Sequence, residues 1–166
     1  MMLSSFTAKA ARFVRDQSGV VLVEFAVVLP MMLVVFAVII EGSRLMMSYE
    51  SAITGVRDAT RYLARITDAG VCTSGGTVTG RAATLKTLIQ NGQTGGTIFA
   101  PNVTIGTVTP SYRCVTGTYR NGPVPVAQVT AQVTIIFPFG NIFSLVGGSL
   151  PTLTTTVTDQ ARIYGS

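Results

Sequence analysis

Hydrophobic and polar positions follow three patterns along the chain, and each pattern predicts a different element. Residues 20–40 read VVLVEFAVVLPMMLVVFAVII, 21 positions in which Glu24 is the one charge. Such a helix is about 31 Å long, close to the thickness of a bilayer core, and it shows no polar face. The pattern therefore predicts a transmembrane helix over 20–40, which Pro30 is expected to kink or loosen.

Apolar residues then recur at steps of three to four, which is the period of one helix face. They predict an amphipathic continuation over residues 41–68, joined to the transmembrane half in one long helix, with Gly70 as a natural stop. The residues of this face are Leu45, Tyr49, Ile53, Val56, Leu63 and Ile66.

Residues 69–166 predict an external domain with a small helix, at 81–91, and a β-sheet. The period of the hydrophobic pattern changes to two residues, most clearly over 126–137, where apolar and polar residues alternate. Asp159 interrupts the apolar face of the last strand. The strands are expected at 103–108, 112–118, 126–137 and 152–164.

One-sided alternation implies an antiparallel sheet with one face covered, and the outer half of the long helix is the available cover. The predicted fold class is therefore α+β, with a long N-terminal helix packed on a small antiparallel sheet. Between the last two strands lies the apolar loop 138–151, PFGNIFSLVGGSLP. We interpret it as a turn over the sheet edge or as a contact with a neighbour or with lipid.

The composition of the 166-residue chain excludes several classes of function. It contains no His, which removes the commonest general base and a common metal ligand. No paired acids suit acid/base work, and the GxxxxG spacing of Gly75 and Gly80 lacks the Lys and Ser/Thr of a P-loop. We expect no enzymatic activity, no cofactor or metal and no small-molecule substrate.

Charge indicates how the chain is oriented. Residues 1–19 form a basic leader with a net charge of +2, within a total of +5. The positive-inside rule leaves this leader in the cytoplasm and everything beyond Ile40 outside. An ordinary signal peptide fits poorly, because the apolar run is too long and no A-x-A pattern follows it.

A basic stripe lies further along the long helix. Arg57, Arg61 and Arg65 are each four residues apart and share one face. If they pair with Asp58 and Asp68, the stripe is a solvated surface; otherwise it suits a binding partner. Nucleic acid is not an expected partner, because no dense basic run with interleaved aromatic residues is present.

Cys72 and Cys114 are the only two cysteines, and both follow the predicted span. An even count in an oxidising compartment suggests one disulfide. It would close a loop of about 43 residues and contribute about 4 kcal/mol.

The most specific combination of residues lies at the start of the apolar run. The leader ends in Gly19, the run begins at Val20, and Glu24 is its fifth residue. A carboxylate in hydrocarbon is costly, so Glu24 is a functional candidate unless it simply reaches the headgroups.

This region resembles the start of type IV pilin-like proteins, most of all the TadE-like pseudopilins of the Tad (tight adherence, Flp) pilus system. The resemblance covers roughly residues 15–67 and implies a minor structural component of such a pilus. The matching positions are Gly19, the Val-Glu-Phe at 23–25, the Leu-Pro at 29–30, the Glu-Gly-x-Arg at 41–44 and the helix end at 56–65.

The resemblance further implies that a prepilin peptidase cuts after Gly19, so that a mature chain of 147 residues begins at Val20. Glu24 would then pair with the terminal ammonium of a neighbouring pilin-like subunit and set the axial register. The protein would lie in the bacterial inner membrane, with its C-terminal domain in the periplasm or outside, and could enter a surface pilus.

Two other interpretations stay open. The chain could be an uncleaved single-pass membrane protein whose external α+β domain binds a partner through the arginine stripe and loop 138–151. It could also be secreted by an ordinary signal peptidase, which is the weaker fit. The mass of the mature chain separates all three.

Overall fold

A computed structural model describes four stretches of the chain, which are residues 18–92, 95–118, 122–149 and 151–165. The leader positions 1–17 lie outside the described residues. The first element is helix α1, Ser18–Ile66, a continuous helix of 49 residues with Pro30 inside it. The chain divides into two compact units between Ile39 and Ile40, and α1 contributes to both.

In the first unit, the described part of α1 exposes nearly all of its large apolar side chains. An 18-residue window of α1 has a mean hydropathy of 2.8 and is only 6% buried. Within the described chain, α1 is the one helix long and apolar enough to cross a membrane. A helix that is apolar on every side and unburied has the properties of a membrane span.

The second unit joins the rest of α1 to short helices and, in the described chain, to a three-stranded antiparallel sheet of order β1-β2-β3. The α+β fold class is confirmed. The further elements are α2 (Val71–Ser74), a 3₁₀ turn (Thr79–Arg81), α3 (Ala82–Asn91), β1 (Val103–Val115), β2 (Val124–Ile136), a 3₁₀ helix (Gly140–Val146) and β3 (Thr152–Arg162).

Strand β2 forms the centre of the core, as its alternation predicts. Its inward side chains from Ala127 to Ile135 are fully buried. The same apolar cluster includes Val56 and Leu63 of α1 and Leu85 of α3. The sheet therefore buries one face against helices, which removes apolar area from water.

The buried face of α1 is built from smaller residues than the sequence predicts. Tyr49 and Ile66 are 39% and 37% exposed, whereas Ala52 is fully buried. A Cβ added at Gly55 would lie 2.9 Å from the carbonyl oxygen of Ile89 in α3. Small side chains are needed there because the two helix backbones approach closely.

Strand β1 is one long strand where the sequence predicts two. Its pairing with β2 shifts between Ile105 and Val108, and Gly106 and Thr107 lie in that bulge. Beyond the bulge, the buried positions change from odd to even numbers, so that Val108 and Pro110 face inward. Because the inward positions change from odd to even numbers, the apolar alternation is interrupted at the bulge. The sequence of this one strand therefore resembles two short strands.

Hydrogen bonds tie the sheet to two separate turns of α1. The Tyr164 N–H, just after β3, donates to the Ala64 carbonyl oxygen at 3.1 Å. The Phe139 N–H, just after β2, donates to Glu41 Oε1 at 2.6 Å. Because Glu41 and Ala64 are 23 residues apart, these two ends of the second unit lie about 35 Å apart along the helix.

Candidate functional site

Gly19 lies in the first turn of α1 and is followed by Val20, which is 65% exposed. A Cβ added at Gly19 would meet nothing within 4 Å. The fold therefore makes no steric demand for glycine at this position. A glycine that packing does not require is compatible with recognition by a processing enzyme, and cleavage after Gly19 stays a prediction.

Glu24 is exposed in the second turn of α1, among apolar side chains that are also exposed. Within the described chain no residue forms an ion pair with it. In hydrocarbon an unpaired carboxylate is costly, so a charged partner from the headgroups or from another molecule would stabilise Glu24. The helix continues through Pro30, and the kink expected there stays a prediction.

The arginine stripe, Arg57, Arg61 and Arg65, is exposed on the second half of α1. Across the part of the chain that the structure describes, none of these arginines forms an ion pair with Asp58 or Asp68, which was one of the two alternatives for the stripe. Asp68 instead accepts a hydrogen bond from the Gly70 N–H at 2.8 Å. The three guanidinium groups are therefore available to an anionic partner.

A shallow cavity of about 240 Å³ lies beside the stripe. Its lining includes Arg61, Arg65 and Tyr62 together with Leu88 of α3. The cavity holds no constellation for catalysis, and the described residues contain no group of three or more His, Cys, Asp or Glu side chains that could hold a metal ion.

Cys72 and Cys114 form a disulfide with a Cα–Cα distance of 5.8 Å. It joins α2 to the end of β1, near the place where the Tyr112 hydroxyl donates to the Gly76 carbonyl oxygen at 3.0 Å. The bond therefore fixes the loop after α1 to the sheet. The cysteine count predicts this pairing, and the structure contains it.

Glu41 has a role that the sequence does not reveal. It is only 4% exposed, although it directly follows the apolar run 20–40. Its Oε1 accepts the bond from the Phe139 N–H, while its buried Oε2 has no hydrogen-bond partner. The sequence marks Glu41 as the first charge after the run and as part of the Glu-Gly-x-Arg at 41–44, but neither feature indicates a buried contact.

A comparison with known families finds a similarity in the N-terminal part of the chain. Residues 19–61 match a family model described as TadE-like protein. In this segment the chain is similar to TadE-like proteins. No curated protein matches the chain, and no solved structure does.

The TadE-like segment begins at Gly19 and contains most of the candidate residues. Glu24, Pro30 and Glu41 lie inside it, as do the first two arginines of the stripe. Arg65 and the disulfide lie beyond it. The TadE-like match therefore coincides with α1, whereas the sheet has no counterpart among the comparisons.

The match covers 43 of the 166 residues, so the chain is similar to TadE-like proteins in its helical part.

Proposed function

We propose that the protein is a minor pilin, or pseudopilin, needed to assemble a Tad/Flp pilus. The observation that carries this proposal is the TadE-like match starting at Gly19, at the first turn of a helix whose next 20 residues expose apolar side chains. A prepilin peptidase removes the leader after Gly19, and the mature chain begins at Val20 and stays in the inner membrane.

In the assembled state, Glu24 of one subunit pairs with the terminal ammonium of another. Each of these charges alone is costly inside a bundle of apolar helices, and pairing offsets much of that cost. The exposure of Glu24 and the absence of an ion-pair partner among the residues that the structure describes support the pairing.

The second unit lies on the periplasmic or outer side of the membrane. The basic leader supports this orientation through the positive-inside rule. The Cys72–Cys114 disulfide supports it independently, because disulfides persist in oxidising compartments.

Pilus assembly in a deletion strain tests the proposal. We expect wild-type complementation to restore sheared surface pili, and Glu24→Gln to reduce them at least about tenfold, as loss of one buried ion-pair partner should. Glu50→Gln is the matched control, since Glu50 is exposed on the second half of the same helix. Immunoblots must show equal amounts of each chain. Normal piliation in the deletion strain, or with Glu24→Gln, contradicts the proposal.

The arginine stripe is the second contact that we propose for neighbouring subunits. Its three guanidinium groups are exposed and unpaired within the described chain, which favours an acidic surface. Arg61→Glu should lower pilus yield in the same assay at an unchanged chain level, whereas Lys86→Glu on α3 should not. Equal yields for the two variants contradict this contact.

A further inference from the structure

We propose that the loop 137–144, here called the aromatic loop, rests on the lipid surface where α1 leaves the bilayer. This inference rests on the membrane span of the proposed function and goes beyond it. It concerns a surface of the second unit and assigns it a partner, which is the interfacial layer of a phospholipid bilayer.

The first observation is the hydrogen bond between the Phe139 N–H and Glu41 Oε1, at 2.6 Å. Glu41 is the first residue after the apolar run 20–40, whose length matches a bilayer core of about 30 Å. Glu41 therefore lies at the boundary between hydrocarbon and headgroups. The bond holds Phe139 at the same level.

The second observation is the chemistry of the aromatic loop. Phe139 is 40% exposed and Pro138 is also exposed, whereas Phe137 is half-buried. No charged residue occurs between Arg120 and Asp159 in the sequence. An uncharged surface with an exposed aromatic ring at Phe139 suits the interfacial layer, where amphipathic and aromatic side chains gather.

The third observation is that the strand ends beside this loop also expose apolar side chains. Ile136 is 46% exposed at the end of β2, and Leu153 is 36% exposed at the start of β3. At the opposite end of the sheet, the paired positions are Arg113 and Arg162, which flank Val126. Of the strand ends that the structure describes, the end tied to Glu41 is therefore the one better suited to contact lipid.

The burial of Glu41 fits the same arrangement. A carboxylate near the hydrocarbon boundary is costly when it faces acyl chains. Here the side chain is 4% exposed and receives a backbone N–H from the aromatic loop. The loop thus shields the charge and exposes the Phe139 ring in its place.

Because the chain contains no Trp, a single introduced Trp reports its own surroundings. We would reconstitute the full chain with Phe139→Trp into phosphatidylcholine vesicles, with and without bromine near the glycerol end of the acyl chains. We expect bromine to lower the emission roughly twofold, because the ring lies at the interface. Unchanged emission overturns the inference.

Two further single-Trp variants make the result specific. Phe36→Trp lies in the apolar run and should be quenched by bromine deeper in the chains. Tyr164→Trp is 72% exposed at the other end of the second unit and should not be quenched. If Phe36→Trp is not quenched, the membrane span itself fails. If Phe36→Trp is quenched and Phe139→Trp is not, the inference alone fails.

Folding and self-association are checked in the same samples. Intact mass shows whether the Cys72–Cys114 bond has formed, which indicates a folded second unit. If Phe139→Trp misfolds, Pro138→Trp replaces it. Quenching of Phe139→Trp should not depend on the protein-to-lipid ratio. A second copy that covers the loop would instead give a blue-shifted emission that increases with this ratio and is not quenched by bromine. That result would overturn the inference.

Glu41→Ala in the Phe139→Trp background tests the tether. Loss of the carboxylate should reduce the bromine quenching, whereas Glu50→Ala should leave it unchanged. Full quenching with Glu41→Ala would overturn the tethering role that the bond at Glu41 implies.

Discussion

The two halves of α1 form one continuous helix, but their surfaces differ. In the first half, large side chains such as Leu22 and Met31 are each 70% exposed. In the second half, Val56 and Leu63 are fully buried beside small residues. Both halves are rich in apolar residues, so the arrangement of those residues, rather than their amount, separates them.

This difference shows what each half requires of its surroundings. The first half needs a medium that solvates apolar side chains on all sides, which a bilayer or a bundle of similar helices supplies. The second half needs a single partner surface, and the sheet with α3 supplies it within the same chain. Substitutions should therefore have opposite consequences in the two halves.

The largest expected effect comes from the cross-link of the second unit. Replacing both cysteines, Cys72→Ser with Cys114→Ser, should lower the free energy of unfolding by about 4 kcal/mol, because the closed loop is long. Urea unfolding of the full chain in detergent, followed by the near-ultraviolet circular dichroism of its tyrosines, measures this. The helicity of residues 18–39 should stay unchanged. A midpoint equal to that of the wild type contradicts the stabilising role.

A pair of leucines on α1 makes the comparison sharper. Leu63→Ala should lower the free energy of unfolding by about 3 kcal/mol, because it opens a cavity in the core. Leu33→Ala, at a position that is 47% exposed, should change the same transition by no more than about 0.5 kcal/mol. Equal costs for the two variants would show that the halves do not differ in packing.

Substitutions at two glycines of α1 should have the smallest effects on the free energy of unfolding, and these effects should be of opposite sign. Gly55→Ala should destabilise by about 2 kcal/mol, because the new Cβ meets the Ile89 backbone. Gly42→Ala meets nothing within 4 Å and should stabilise by up to about 1 kcal/mol through helix propensity. The same urea titration measures both, and stabilisation by Gly55→Ala would contradict the close approach of α1 and α3.

Much of the fold is predictable from local patterns. The apolar run, the alternation of β2 and the helix at 81–91 depend on periodicities that adjacent residues define. The features that the sequence misses depend on distant partners instead. Gly55 is required by a helix 34 residues away, and the buried side of β1 changes at a bulge that only its pairing with β2 reveals.

The candidate site divides in the same way. Gly19 and Glu24 are recognisable because their positions relative to the leader and the apolar run are visible in the sequence. The buried contact of Glu41 is not recognisable, because its partner is the Phe139 N–H, 98 residues further along the chain. The unpaired state of the arginine stripe likewise depends on side-chain positions, since the spacing of Asp58 alone suggests a pair.

The N-terminus of the mature chain is the most direct test of the pilin-like account. We would express the chain with a C-terminal tag, with and without a matching prepilin peptidase, and measure the intact mass. Gly19→Leu and Gly42→Leu form a matched pair, since a Cβ meets nothing within 4 Å at either position. The account predicts a start at Val20 only with the peptidase, lost in Gly19→Leu and kept in Gly42→Leu. A start at Met1 or Met2 in every sample, or one beyond Ile40, would contradict it.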